Sequence, residues 1–136
     1  MLRKIFYILI FAVFLQSEEL SLTSIETIAT NFINERQNYT IDSIETLNII
    51  ENSTDIYIVH LNPIGFIILS SQDKTIPILG YSYNSEININ ELPRQLEAIL
   101  ISYQEGIQYV LDNNIMQDDK TFYLLDKYLN NNDFIN

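Results

Sequence analysis

Gly65-Phe66-Ile67-Ile68-Leu69-Ser70-Ser71-Gln72-Asp73, followed after three residues by Pro77-Ile78-Leu79-Gly80-Tyr81-Ser82, decides how this 136-residue chain folds. Each block is a short apolar, β-branched run closed by turn formers, and the polar link between them is too short for a helical crossover. Two such runs return on each other as antiparallel strands. Gly65 and Gly80 can take backbone conformations closed to other residues, and Phe66, Ile68, Leu79 and Tyr81 can supply alternating faces of the paired strands.

The same pattern extends to either side. Strands are expected over 44–50, 56–61, 65–70 and 76–81, with a weaker one at 87–89, all joined by short polar separators. Upstream, Ile25, Ile28, Ala29, Phe32 and Ile33 recur at helical spacing, so a helix is expected to start at a Thr23 cap backed by Glu26 and to end near Gln37. Downstream, Leu92-Pro93 restarts the helical period. Leu92, Leu96, Ile99, Leu100, Tyr103, Ile107, Val110 and Leu111 then fall on one face of what should be the longest element, with Pro93 tolerated at the first helical position. Beyond Asp112 the chain thins into Asn, Asp and Gln. The cluster Phe122, Tyr123, Leu124, Leu125, Tyr128 and Leu129 could form two helical turns, and 130–136 should fray. The expected architecture is α+β: an antiparallel sheet of four to five strands packed against an N-terminal helix and a longer C-terminal helix. One domain, 18–112, is followed by a polar tail, 113–136, with a possible short helix.

Residues 1–17 read as a signal peptide. Arg3 and Lys4 supply a positive start, 5–15 is an apolar run of eleven residues, too short to span a bilayer, and Leu15-Gln16-Ser17 offers a cleavage site before Glu18. Secretion or export to the periplasm follows, with no membrane association after removal of the signal. Seven basic against eighteen acidic side chains give a net charge of −11, and loss of Arg3 and Lys4 takes it to −13. Such a chain lacks the cations that neutralise phosphates, which argues against nucleic acid as a partner. It is expected to be monomeric when free.

Catalytic signals are sparse. With no cysteine there is no thiolate, no disulfide and no sulfur-ligated metal. His60 is the sole histidine, lies in an expected strand and reads as a solvated or hydrogen-bonded structural residue. Asp73, Asp118 and Asp119 read as turn and solvation residues, and no phosphate loop or metal-ligand spacing occurs. The expectation is a non-enzyme without cofactor or metal.

Taken in order, the segments resemble the pro-region of streptopain-type cysteine peptidases and the separate streptopain-inhibitor proteins similar to it. The resemblance rests on Ala29 and Phe32 in the first helix, Tyr57-Ile58-Val59, then Gly65-Phe66-Ile67-Ile68-Leu69-Ser70, the turn Gln72-Asp73-Lys74, Pro77-Ile78-Leu79-Gly80-Tyr81-Ser82, and Leu92-Pro93 opening a helix with Tyr103 and Ile107. It covers roughly residues 22–110. It implies an independent α+β domain that covers the cleft of a streptopain-type cysteine protease and holds the catalytic histidine out of place. The family's contact region includes the entry to the second helix, where an Asn can enter the cleft. The corresponding residues here are Leu92, Pro93, Arg94 and Gln95, with Gln95 keeping the amide and adding a methylene. Helix capping and solvation account for Arg94 and Gln95 about as well.

The resemblance therefore implies a stand-alone, secreted inhibitor that blocks a protease in trans. Two other readings stay open: a pro-region that chiefly assists folding of a separate catalytic chain, and a secreted binding module that keeps the fold without the protease target.

Overall fold

The computed structural model describes residues 18–36, 38–53 and 55–131. The expected signal peptide and residues 132–136 lie outside them. The elements are α1 (Leu22–Asn34), β1 (Thr40–Leu47), β2 (Ile56–Asn62), β3 (Phe66–Ser70), β4 (Ile78–Ser82), α2 (Arg94–Asp112) and α3 (Asp119–Asn130). The four strands form one antiparallel sheet in the order β1-β2-β3-β4.

Strand alternation sorts the apolar side chains onto two faces, and each face has its own core. Val59, Leu61, Ile67 and Leu69 meet Ile25, Ile28, Ala29 and Ile33 of α1 and Leu125 and Tyr128 of α3. On the other face, Ile56, Ile58, Phe66 and Ile68 meet Leu100 and Ile107 of α2. All five residues of β3 are buried, so helices cover the sheet on both sides. This is the α+β arrangement expected from the sequence, with helices forming the outer layers.

Two bulges keep the alternation in phase. Asp42 is the extra residue in β1, so Ile41 and Ile44 both pack on the α1 face although three positions apart. In β4, Ile68 pairs with Gly80 and Leu69 with Ile78. Leu79 is therefore extra and packs toward α2 while Ile78 packs toward α1.

Gly65 is required by its geometry. Its φ is +118°, and a Cβ there would lie 2.5 Å from the Ser82 carbonyl oxygen. Gly80, expected to need similar freedom, has no such φ. A Cβ there would make ordinary contacts with Tyr103 and Ile68.

Several boundaries differ from the expected ones for identifiable reasons. The N-cap of α1 is Ser21, extended in its backbone, whose Oγ accepts the Ser24 N–H at 3.1 Å; Thr23 is already helical. The helix stops at Asn34, short of Gln37, which is not among the described residues. Pro93 is the N-cap of α2, one position outside the helix. Strand β1 begins at Thr40 and ends at Leu47 because the next amides turn elsewhere: Ile49 N and Ile50 N donate to Gln104 Oε1 at 2.9 and 3.2 Å. The stretch 87–89 forms no strand; Ile87 is buried against the α2-side core instead.

The stripe on α2 buries Leu100 and Ile107, with Leu92, Leu96, Tyr103 and Leu111 packed around them. Ile99, expected on that face, is 47 % exposed. Gln104 occupies the inward position and is fully buried.

Helix α3 is longer than two turns. Asp118 caps it, accepting the Thr121 N–H at 2.7 Å, and that hydrogen bond holds the Asp118 carboxyl below its ordinary value of 3.8. Leu125 and Tyr128 enter the α1-side core. Asn31 Nδ2 donates to the Tyr128 carbonyl at 2.7 Å, and Lys127 pairs with Glu35.

Two outcomes follow from these contacts. Replacing Gln104 by Met keeps the volume but leaves the Ile49 and Ile50 amides without their acceptor. The domain should lose about 2 kcal/mol, read as a lower midpoint in urea unfolding with unchanged slope. The second concerns Asp118. Because its folded pKa is depressed, its stabilisation is present above pH 3.8 and is lost as pH falls through the folded value. Asp118→Ala should speed hydrogen exchange in the first turn of α3 at neutral pH. Acidification below pH 3.8 should produce the same fraying in the wild type and little further change in the variant.

Candidate functional site

The segment that enters α2 is built from a braced loop. After β4, Ser82 Oγ donates to Asn84 Oδ1 at 3.0 Å. Asn88 then folds the chain back, its carbonyl accepting Glu91 N at 3.1 Å and its Oδ1 accepting Asn90 N at 3.0 Å. Ile87 and Ile89 root this loop in the α2-side core. Leu92 is half-buried and packs with them, whereas Pro93, Arg94 and Gln95 are exposed.

Pro93 fixes the approach, with φ −59° and ψ 142°, and offers no side chain to cap the helix. The first turn of α2 thus presents backbone N–H groups, the Arg94 guanidinium and the Gln95 amide outward together. Glu97 is the acidic residue of that turn. All four residues named from the sequence are consecutive at one corner, three facing solvent and one anchoring them.

A cavity of about 350 Å³ adjoins the loop, with Asp42, Glu45, His60 and 86–89 among its walls. His60 Nε2 lies 2.6 Å from Glu45 Oε2, a diagonal pair across β1 and β2. Ser43 sits opposite His60 in the register. His60 is therefore a hydrogen-bonded strand histidine, as its position in the sequence suggested. Among the described residues, no group of acidic or histidine side chains could hold a metal ion.

On the opposite face, Phe32, Tyr39, Tyr81, Tyr83 and Tyr128 form a chain of tilted and edge-on ring contacts with centroids 4.7–5.5 Å apart. The Arg36 guanidinium lies over the Tyr83 ring at 4.9 Å. Burial pushes the Tyr83 phenol up, against the opposing charge of Arg36. Tyr81 is half exposed at the edge of this cluster. The convergence of these tyrosines could not be read from the sequence because they come from four separate elements or loops.

Gln104 was also missed, although its spacing carries a signal. It stands four residues after Leu100 and three before Ile107, an inward position on the helix.

No helix among the described residues is long and apolar enough to cross a membrane. Comparisons with curated proteins and with solved structures find no match. The family model described as Spi protease inhibitor matches residues 17–107, spanning α1, the whole sheet and α2 as far as Ile107, and leaving α3 outside. With two thirds of its sequence matched, including every strand and the corner that carries Gln95, the chain belongs to the Spi protease inhibitor family.

Proposed function

We propose that this chain is a secreted inhibitor of a streptopain-type cysteine protease, acting in trans by occupying the active-site cleft with Leu92, Pro93, Arg94 and Gln95. The observation that carries the reading is the corner itself: an exposed, proline-led helix start rooted by half-buried Leu92, in a chain of an inhibitor family. An inhibitor gains affinity when its contact segment is ordered before binding, because little conformational entropy remains to be lost. The bracing of 84–91 and the burial of Leu100, Gln104 and Ile107 provide that order.

The mode is steric and polar. Without cysteine the chain offers no thiolate for exchange or acylation chemistry. The Gln95 amide has both a donor and an acceptor, so it can hydrogen-bond either tautomer of a protease imidazole and hold it away from its thiol. Arg94 adds a cation for carboxylates at a cleft rim. Export carries the chain to the compartment in which a secreted protease works.

Titrating a streptopain-type protease with the purified exported protein should abolish activity at one-to-one stoichiometry. Gln95→Ala should weaken inhibition about tenfold or more, whereas Tyr109→Ala, 62 % exposed farther along α2, should leave it unchanged. Failure to inhibit any of several such proteases would sink the proposal. Recovery of a denatured catalytic domain only when this chain is present, without inhibition of the native enzyme, would make it a folding assistant instead.

A further inference from the structure

The first described residues form a docked contact with the turn after β3. Asp73 N donates to the Glu18 carbonyl at 3.2 Å, and Glu18 N donates to Asp73 Oδ1, also at 3.2 Å. Glu19 bridges Gln72 in antiparallel fashion, and Leu20 N donates to the Ser71 carbonyl at 2.8 Å. Asp73 is itself held in place: it is half-buried, and its carbonyl accepts Gln117 Nε2 at 2.6 Å from the loop between α2 and α3. A carboxylate oxygen is thereby aimed at one backbone nitrogen, 55 residues away in sequence.

That nitrogen belongs to the residue at which the expected leader would be cut away. Hydrolysis of the Ser17–Glu18 bond by a leader-removing endopeptidase consumes one water. The new carboxylate leaves with Ser17, and the amine left on Glu18 takes up a proton at neutral pH. We propose that Asp73 is the docking site of the processed N-terminus, so that cleavage at this bond turns a neutral amide–carboxylate hydrogen bond into an ammonium–carboxylate ion pair locking residues 18–20 onto the turn after β3. Charge-assisted hydrogen bonds are about twice as strong as neutral ones. The geometry is specific to one bond. A product one residue longer keeps a neutral amide at this place, and one a residue shorter has no nitrogen there.

The charged groups on the elements that meet at this point are Glu18 and Glu19, Lys74 beside Asp73, and Asp118 and Asp119 just beyond Gln117. Tyr57 of β2 lies within electrostatic reach of Glu19. Four of these groups are acids, so the surroundings favour an ammonium over a neutral amine.

The test uses the full chain, expressed with its own leader in a secreting bacterial host. The exported product is sequenced from its N-terminus, then melted with the α-amine free or selectively acetylated, in wild-type and Asp73→Asn forms. The product should begin at Glu18. Below neutral pH, acetylation should lower the wild-type melting temperature by about 3 °C and that of Asp73→Asn by much less. The difference should fade as pH rises past about 8, where free α-amines lose their proton. Retention of the leader, cleavage at another bond, or an equal acetylation effect in both forms overturns the proposal. The inference rests on export but not on the protease: these readouts contain no target enzyme, so the inhibitor reading and this one can fail separately.

Discussion

Burial of β3 on both faces is the constraint from which the rest of the structure follows. A strand with every side chain buried stays in water-free surroundings only if each face of the sheet is covered by another layer. Residues 66–70 supply Ile67 and Leu69 to one face and Phe66 and Ile68 to the other. Fully burying a side chain of this size is worth roughly 1.5–3 kcal/mol, so exposing either face would remove several such contributions from a domain whose net stability is small. The ends of the strand are fixed by backbone and polar groups. Gly65 leaves no room for a Cβ beside the Ser82 carbonyl, and Ser70 N donates to the Pro77 carbonyl at 3.0 Å. Buried Ser70 Oγ meets Thr75 Oγ1 and also receives Gln72 N.

The two covering layers do different work. The α1 side is closed by two helices, joined by the Asn31–Tyr128 hydrogen bond and the Lys127–Glu35 ion pair. The α2 side rests on α2 and the loop before it. One buried polar residue, Gln104, secures that layer by accepting two amides from the chain just after β1. A buried acceptor with two donors fixes helix position more narrowly than apolar contact does, because hydrogen bonds weaken steeply with misalignment whereas hydrophobic burial is non-directional.

Much of this was legible in the sequence, and the parts that were not share a cause. The strand blocks, their antiparallel order, the stripe of α1 and the length of α2 follow from local periodicity. The end of β1 does not, because it is set by a glutamine more than fifty residues away. The extent of α3 does not either: residues 119–130 are polar enough to look marginal, and the helix persists because Leu125 and Tyr128 dock on α1. Ile99 has the right spacing for the buried stripe but sits at its margin, where the curve of the cylinder carries it to solvent. For the candidate site, Leu92, Pro93, Arg94 and Gln95 entered through family resemblance. The exposure of Pro93, Arg94 and Gln95 at one corner is a structural finding, and the Glu18–Asp73 contact joins segments with no common local pattern.

Helix α2 couples the buried anchor and the proposed contact in one rigid element. Gln95 and Gln104 are nine residues apart, a rise of about 13 Å along the axis, with Leu100 buried between them. The outer end can swing only if the inner end moves in a close-packed layer, where displacement opens voids and loses directional bonds. The exposed residues of the corner, Pro93, Arg94 and Gln95, therefore inherit the stiffness of the core in which Leu92 is packed. Polar residues such as Arg94 and Gln95 can be exchanged there with little effect on the fold, while their placement is held by Gln104 and its apolar neighbours. With the proposed contact at the tip of the helix, partner choice can vary there while β3 and its two covering layers stay unchanged.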